Sequence, residues 1–237
     1  MAPRSRSAPE TVVVSVGGSV LLTGDHDVEY VRRLATLLRA CGQDGPLAVT
    51  TGGGRTAREY IGLGRELGFT EVELDEVGID VTRLHARVLA GAIGPPTPDR
   101  VPTSVREAVH ELHRASPVIL GGTEPGHTTD GVAALLAVRL RAARLVNATD
   151  VDGVYDRDPR ADPRARRRAT LSWKEFRTLV HASTSGEAGQ NFVFDRLGAD
   201  LLARAQIPLL IVRGRDLRNL EAAIRGRPFD GSRIGSE

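Results

Sequence analysis

Thr11-Val12-Val13-Val14-Ser15-Val16-Gly17-Gly18-Ser19 decides the fold. β-Branched side chains suit a pleated backbone, and an almost unbroken apolar run predicts a strand buried on both faces. That run stops abruptly at a glycine pair. The same transition recurs at Pro46-Leu47-Ala48-Val49-Thr50-Thr51 into Gly52-Gly53-Gly54, and at Pro117-Val118-Ile119-Leu120 into Gly121-Gly122-Thr123. Between the strands, apolar residues return at helical spacing, as Val28, Val31, Leu34, Leu37 and Leu38 do within 27–41. Further helices are predicted over 55–68, 77–92, 104–115 and 130–141, with later strands over 145–148 and 208–212. Strands alternating with helices indicate an α/β domain on a largely parallel sheet. Residues 1–10 read as a loose tail and 11–237 as one domain, with a mild boundary near 142–146 between halves that share the sheet.

Length and composition narrow the function. The chain has 237 residues, 41% hydrophobic and 26% charged, enough to bury a substantial core. No apolar run approaches the roughly 20 residues of a membrane span, and the N-terminus shows no signal core. Cys41 is the single cysteine, which excludes an intramolecular disulfide framework and suits a reducing cytoplasm. All but one of the 32 Lys plus Arg are arginine, Lys174 being the exception, so mechanisms needing two lysines are excluded. Lys174 itself opens a helix at Ser172-Trp173-Lys174 and reads as a surface residue. The net charge of +2 says little about partners. The dense basic stretch at 157–168 lacks interleaved aromatics for base stacking and reads as a solvated loop rather than a nucleic-acid patch.

The glycine loops carry the chemistry. Where a helix follows such a loop, its free N–H groups and dipole favour an anion such as phosphate, and ligands of parallel sheets collect at the strands' carboxyl ends. None of the three loops continues into the Gly-Lys-Ser/Thr of a P-loop or matches Gly-x-Gly-x-x-Gly. Two longer segments are sharper. Gly121-Gly122-Thr123-Glu124-Pro125-Gly126-His127-Thr128-Thr129-Asp130 gathers hydroxyls, a histidine and an acid directly ahead of a helix that Asp130 is placed to cap. Asn147-Ala148-Thr149-Asp150-Val151-Asp152-Gly153-Val154-Tyr155-Asp156-Arg157-Asp158-Pro159 places acids and one aromatic at a strand end. Those acids suit magnesium or ribose hydroxyls, or else pair with the arginines that follow. His85 reads as a satisfied helix histidine, and no histidine shows metal-like spacing with acids.

These segments resemble the amino acid kinase superfamily, and within it the archaeal-type uridylate kinases. The resemblance rests on Val16-Gly17-Gly18-Ser19-Val20, Gly52-Gly53-Gly54-Arg55 with Ala57-Arg58 and Tyr60, Gly78-Ile79 with Thr82-Arg83, the 121–130 segment, and Asp152-Gly153-Val154-Tyr155 with Asp158-Pro159, in family order. It implies a three-layer αβα sandwich on a mainly parallel open sheet, with the acceptor over the N-terminal half and ATP over the C-terminal half. By position, Gly53, Asp75, Thr123, Glu124, Pro125, Gly126, His127, Thr128 and Thr129 would hold a nucleoside monophosphate. Gly18, Ser19, Gly54 and Arg58 would cradle the ATP phosphates, while Thr149, Asp150, Tyr155 and Asp158 would surround adenosine. Asp130, with Arg55 and Arg83, would form the catalytic centre, helped by Mg2+. The resemblance also implies a cytoplasmic homohexamer without a protein-held metal site.

The chain departs from that pattern at two places. Many relatives carry a lysine two residues before the first glycine pair, where this chain has Ser15, and a second in the stretch that here reads Gly189-Gln190-Asn191-Phe192-Val193-Phe194-Asp195. Replacement donors are then Arg55, Arg58, Arg83, His127 and magnesium; arginine offers phosphate a fixed bidentate fork of different reach. Three activities stay open: phosphoryl transfer from ATP to UMP, transfer to another phosphate, phosphonate or carboxylate, and non-catalytic ATP binding of the kind seen in molybdenum storage proteins.

Overall fold

The computed structural model describes residues 9–22, 28–157, 162–183 and 194–235. In chain order the elements are β1 (Val12–Val16), α1 (Gly18–Leu21), α2 (Val28–Asp44), β2 (Leu47–Thr51), α3 (Gly54–Glu66), α4 (Glu71–Ile93), α5 (Val105–Leu112), β3 (Val118–Leu120) and α6 (Thr129–Leu140). Then follow β4 (Arg144–Thr149), β5 (Val154–Tyr155), β6 (Arg167–Arg168), β7 (Thr170–Leu171), α7 (Trp173–Ser183), α8 (Arg196–Ala205), β8 (Leu209–Arg213), α9 (Leu217–Ile224) and β9 (Ser232–Ile234).

Seven strands form one sheet in the order β3-β2-β1-β4-β8-β9-β7, while β5 and β6 make a separate antiparallel ribbon. Pairing from β3 to β8 is parallel throughout; only β9 runs against β8. The period-two alternation of a strand divides the core into two. Val12, Val14 and Val16 enter one cluster with side chains of α1, α2, α4 and α9. Val13, Ala48, Leu145 and Leu209 enter the other with α5, α6, α7 and α8. This is the three-layer αβα sandwich with a mainly parallel open sheet. Both halves of the chain contribute strands to it.

Element bounds follow local chemistry. Helix α4 begins six residues earlier than the predicted 77–92, because Thr70 and Glu73 close a reciprocal capping box that nucleates the acidic turn Glu71-Val72-Glu73. Helix α6 is capped by Thr128, whose hydroxyl accepts from the Gly131 N–H at 3.0 Å. Asp130 is therefore not the cap; it lies inside the first turn and its carboxyl is left for other work.

Candidate active site

The carboxyl edge of β1 and β2 is built backbone against backbone. A Cβ on Gly18 would fall 2.5 Å from the Gly52 oxygen and closer still to the Gly54 nitrogen. Gly54 has φ +57°, a left-handed conformation that glycine adopts without strain. Only unsubstituted backbones let these two loops approach so closely, and their contact brings the start of α1 beside the start of α3. Ser19 is exposed on the first, and Arg55 and Arg58 are exposed on the second. Arg55 Nε donates to Glu59 Oε1 at 2.6 Å, an exposed pair of the kind worth little.

Buried groups fasten this junction from α4. His85, 2% exposed, lies 2.8 Å through Nδ1 from the Gly52 carbonyl oxygen. A carbonyl only accepts, so Nδ1 carries the proton. The satisfied-histidine reading of His85 describes this contact. Thr51 Oγ1 donates to the Thr82 carbonyl at 2.9 Å, and Thr82 Oγ1 accepts from the Gly122 N–H at 2.6 Å. Arg83 reaches the same loop, donating to the carbonyls of Gly122 at 3.2 Å and Thr123 at 3.1 Å. One turn of α4 thus fixes the glycine loops after both β2 and β3.

The predicted acceptor residues come together beyond that turn. Asp75 Oδ2 accepts from the Gly126 N–H at 2.7 Å, tying α4 to the exposed loop that carries Glu124, Pro125 and half-buried His127. Gly53 caps α3 next to this loop's anchors, its own Cβ position filled by Ala57 and approached by Thr82. Thr129 Oγ1 stands 3.5 Å from where a Cβ of Gly52 would be, which places the start of α6 against the first two glycine loops.

Asp130 is the electrostatic centre. Ser15 Oγ donates to its Oδ1 at 2.8 Å. The residue keeps some accessible surface, yet protein surrounds its carboxyl. Burial pushes its pKa up to about 7, the Ser15 hydrogen bond pulls it down, and the Asp195 carboxylate adds to the rise. Asp195 caps α8, accepting from the Gly198 N–H at 2.6 Å, and also accepts from the Thr128 hydroxyl.

Ser15 belongs to a polar rung that sequence reasoning did not assemble. In register across β2, β1 and β4 lie Thr50, Ser15 and Asn147, all at most 3% exposed and all on the α6 face. Thr50 Oγ1 has no hydrogen-bond partner among the described residues. The signal was available: each strand carries a polar residue on a face otherwise given to core, one residue before its end in β1 and β2. Thr82 and Asp195 gave no such signal, since their partners lie 40 and 67 residues away.

The predicted adenosine residues lie on the opposite side of β1, at the end of β4. Thr149 Oγ1 donates to Asp150 Oδ1 at 3.2 Å, and the Tyr155 hydroxyl donates to Asp152 Oδ1 at 2.9 Å. Burial and the Asp152 carboxylate raise the Tyr155 pKa. Arg167 bridges Asp152 at 3.0 Å and Asp230, and Arg157 meets Asp162 at 3.2 Å. Asp152 and Asp156 of this segment therefore pair with arginines that follow, and the described part of the basic stretch carries ion pairs at Arg157, Arg164, Arg167 and Arg168. Asp158 and residues 189–193 lie outside the described residues. Lys174 is exposed on α7. Among the described residues, no group of three or more His, Cys, Asp and Glu side chains gathers to hold a metal ion, and no helix is long and apolar enough to cross a membrane.

Residues 10–213 match the sequence model of the amino acid kinase family. The chain is 43% identical over 219 residues to a uridylate kinase of Thermoplasma volcanium, covering 92% of this chain and 95% of that one. It is 40% identical over 216 residues to a uridylate kinase of Methanothermobacter thermautotrophicus, covering 91% and 95%. Among solved structures, uridylate kinase from Archaeoglobus fulgidus superposes with a TM-score of 0.84 at 39% identity, covering 94% of this chain and 99% of that one.

Proposed function

This chain belongs to the amino acid kinase family, beside its archaeal uridylate kinases, and from that premise we propose that it moves the γ-phosphoryl group of ATP to UMP, giving ADP and UDP. The observation that carries this reading is the 43% identity to a uridylate kinase across nine-tenths of both chains. The carboxyl-edge geometry supports it: the first two glycine loops and the starts of α1 and α3 meet beside the start of α6, which carries half-buried Asp130.

In such a transfer an oxygen of the UMP phosphate attacks the γ-phosphorus, and the bond to the β–γ bridging oxygen breaks with its electrons leaving on ADP. Catalysis then consists of positioning two anionic groups in line and neutralising charge. Gly53, Asp75 and residues 123–129 hold the acceptor, with Asp75 fixing the loop through Gly126. Gly18, Ser19, Gly54 and Arg58 receive the ATP phosphates; Thr149, Asp150, Tyr155 and Asp158 receive adenosine. Asp130 organises the centre. Arg55 pairs with exposed Glu59 at the start of α3, where its guanidinium lies at the solvent side of the glycine loops and faces the phosphates. Arg83 has carbonyl partners for its donors, so it acts by holding the 121–123 loop. With no three-ligand cage among the described residues, Mg2+ fits here as a nucleotide-borne ion, which takes most of its oxygens from phosphate and water. Asp130 is the carboxylate on hand for it, and the ion would add positive charge at the phosphoryl oxygens. The protein works in the cytoplasm as a homo-oligomer, a hexamer by family resemblance, and exposed Tyr60, Leu63, Leu67, Phe69 and Val72 provide an apolar contact face.

Purified protein with ATP and Mg2+, offered UMP, CMP and a panel of other acceptors, tests the proposal. UDP formation supports it. ADP release with a different acceptor alone moves the substrate. Tight ATP binding without release for any acceptor overturns the kinase reading in favour of nucleotide storage.

A further inference from the structure

At the opposite edge of the sheet, where β1, β2 and β4 begin, lies a cavity of about 300 Å³. Val12, Leu47 and Arg144, the first residues of those strands, stand in one register row along its wall. Four residues of β1, about 13 Å of strand, separate it from the glycine loops. Three arginines line it, Arg144, Arg225 and Arg227, together with Glu10, Asp44 and Cys41.

The two charge signs occupy different depths. The Arg144 side chain is 15% exposed while its partner Glu10 is 62% exposed. Arg225 is 21% exposed against 56% for Asp44. Arg144 is held in place by donating to the Ile224 carbonyl at 2.9 Å, and Arg225 by Glu221 at 2.9 Å. Arg227 has no ion-pair partner among the described residues. Arg144 and Arg225 therefore form the fixed inner surface, Arg227 stands exposed at the rim, and the acids that face the inner pair are rim groups whose pairing with water-exposed ends contributes little.

We propose that this cavity is a binding site for a small multiply charged anion of the phosphate class, which displaces Glu10 and Asp44 to solvent and takes their place on Arg144 and Arg225, with Arg227 as a third fork. Guanidinium forks match tetrahedral phosphate oxygens in pairs, and an ion of pyrophosphate size leaves room in the cavity for bridging water.

Cys41 reports on the site: it is the only cysteine in the chain, it belongs to the cavity wall, and at 5% exposure it is alkylated only when that wall opens, which a bound anion would oppose. Alkylation of the full protein by iodoacetamide is followed with inorganic pyrophosphate and with sodium chloride of equal ionic strength. The expected result is alkylation slowed about fivefold by pyrophosphate alone, the factor reached at four times Kd for competition of this form. Arg227→Ala should lose that protection while keeping its ADP-release activity, and Arg227→Lys should restore part of it. Orthophosphate and citrate arms separate phosphate chemistry from charge alone, with citrate expected to protect least. Two results overturn the proposal: equal rates in pyrophosphate and chloride, or protection as strong in Arg227→Ala as in the unmodified protein, which would place the anion elsewhere.

Discussion

At the end of β1 two glycine loops meet backbone to backbone beside a half-buried acid, whereas at the end of β4 the corresponding surface is held by a two-strand ribbon and exposed arginine–aspartate pairs. The first region gains its precision from the absence of side chains. Gly18, Gly52 and Gly54 leave room only for one another; His85 holds Gly52, and Thr82 and Arg83 hold Gly122 of the neighbouring loop, by hydrogen bonds to main-chain atoms. The second gains its shape from side chains that water and salt can reach, as Arg167 does between Asp152 and Asp230. Phosphates in a transfer reaction tolerate displacements of well under an ångström, while a base can be held by broad contact. The rigid construction is on the side where the chemistry would take place.

Gly18→Ala breaks the first region most severely. Its Cβ meets backbone, which cannot swing aside, so overpacking should cost roughly 3 kcal/mol in urea unfolding and remove turnover altogether. Gly62, on α3, has nothing within 4 Å of its Cβ position. Gly62→Ala should therefore stabilise by about 0.5–1 kcal/mol through backbone entropy. Similar losses at both positions would show that helix propensity, not loop contact, governs the response.

Asp130→Asn separates activity from stability. Turnover should fall on the order of a hundred- to a thousand-fold if the carboxylate organises transition-state charge. Stability should move the other way. The folded pKa of about 7 stands above the ordinary aspartate value of 3.8, so the folded protein holds a proton that the unfolded chain has lost between those values. Asp130 thus costs stability progressively as pH rises through that window, and the full cost is present above it. Melting temperatures of the parent should fall relative to Asp130→Asn from pH 4 to pH 8. Parallel curves would mean that Asp130 ionises in the folded state as readily as in the unfolded chain.

Arg83→Ala reaches the same region through the acceptor loop. Losing charged hydrogen bonds to the Gly122 and Thr123 carbonyls should raise KM for UMP about tenfold, the scale of one such bond, with a smaller fall in kcat. A loss confined to kcat would instead assign Arg83 to the transferred phosphoryl group.

The contrast between the two regions also explains what could be read from sequence. β-Branched runs ending in glycine disclosed β1, β2 and β3 and the glycine loops that follow them, because both are local patterns with a single physical cause. Asp130 was legible as an acid at the start of α6, but its place inside the first turn rather than at the cap was not, since Thr128 and Asp130 both cap helices well and only the Gly131 contact decides between them. The first turns of α4 were hidden because Glu71, Glu73 and Asp75 have the polarity of a loop, and it is the Thr70–Glu73 capping box that makes them helical. The rung of Thr50, Ser15 and Asn147 needs strand register, which depends on residues about 35 and 130 positions apart in sequence. β9, running against β8 as an antiparallel neighbour, carries only Ser232, Arg233 and Ile234, too short a run to announce itself.

The smallest effect belongs to the second region. Tyr155→Phe removes the hydroxyl that donates to Asp152 and leaves the ring in place. Asp152 keeps Arg167 at 3.0 Å, and the ribbon keeps its anchor through the Val154 N–H to Ser232 Oγ at 2.8 Å. The shape presented to a base should therefore survive, because it depends on the ring and the ribbon rather than on the phenol oxygen. KM for ATP should change by less than about threefold, within the worth of one solvent-competed hydrogen bond. Tyr155→Ala removes the stacking face as well and should raise KM for ATP by more, with kcat little affected, since contact with the base is equal in ground and transition states. If Tyr155→Phe alone raised KM tenfold, the hydroxyl would be touching nucleotide directly, and the second region would share the fixed polar geometry of the first.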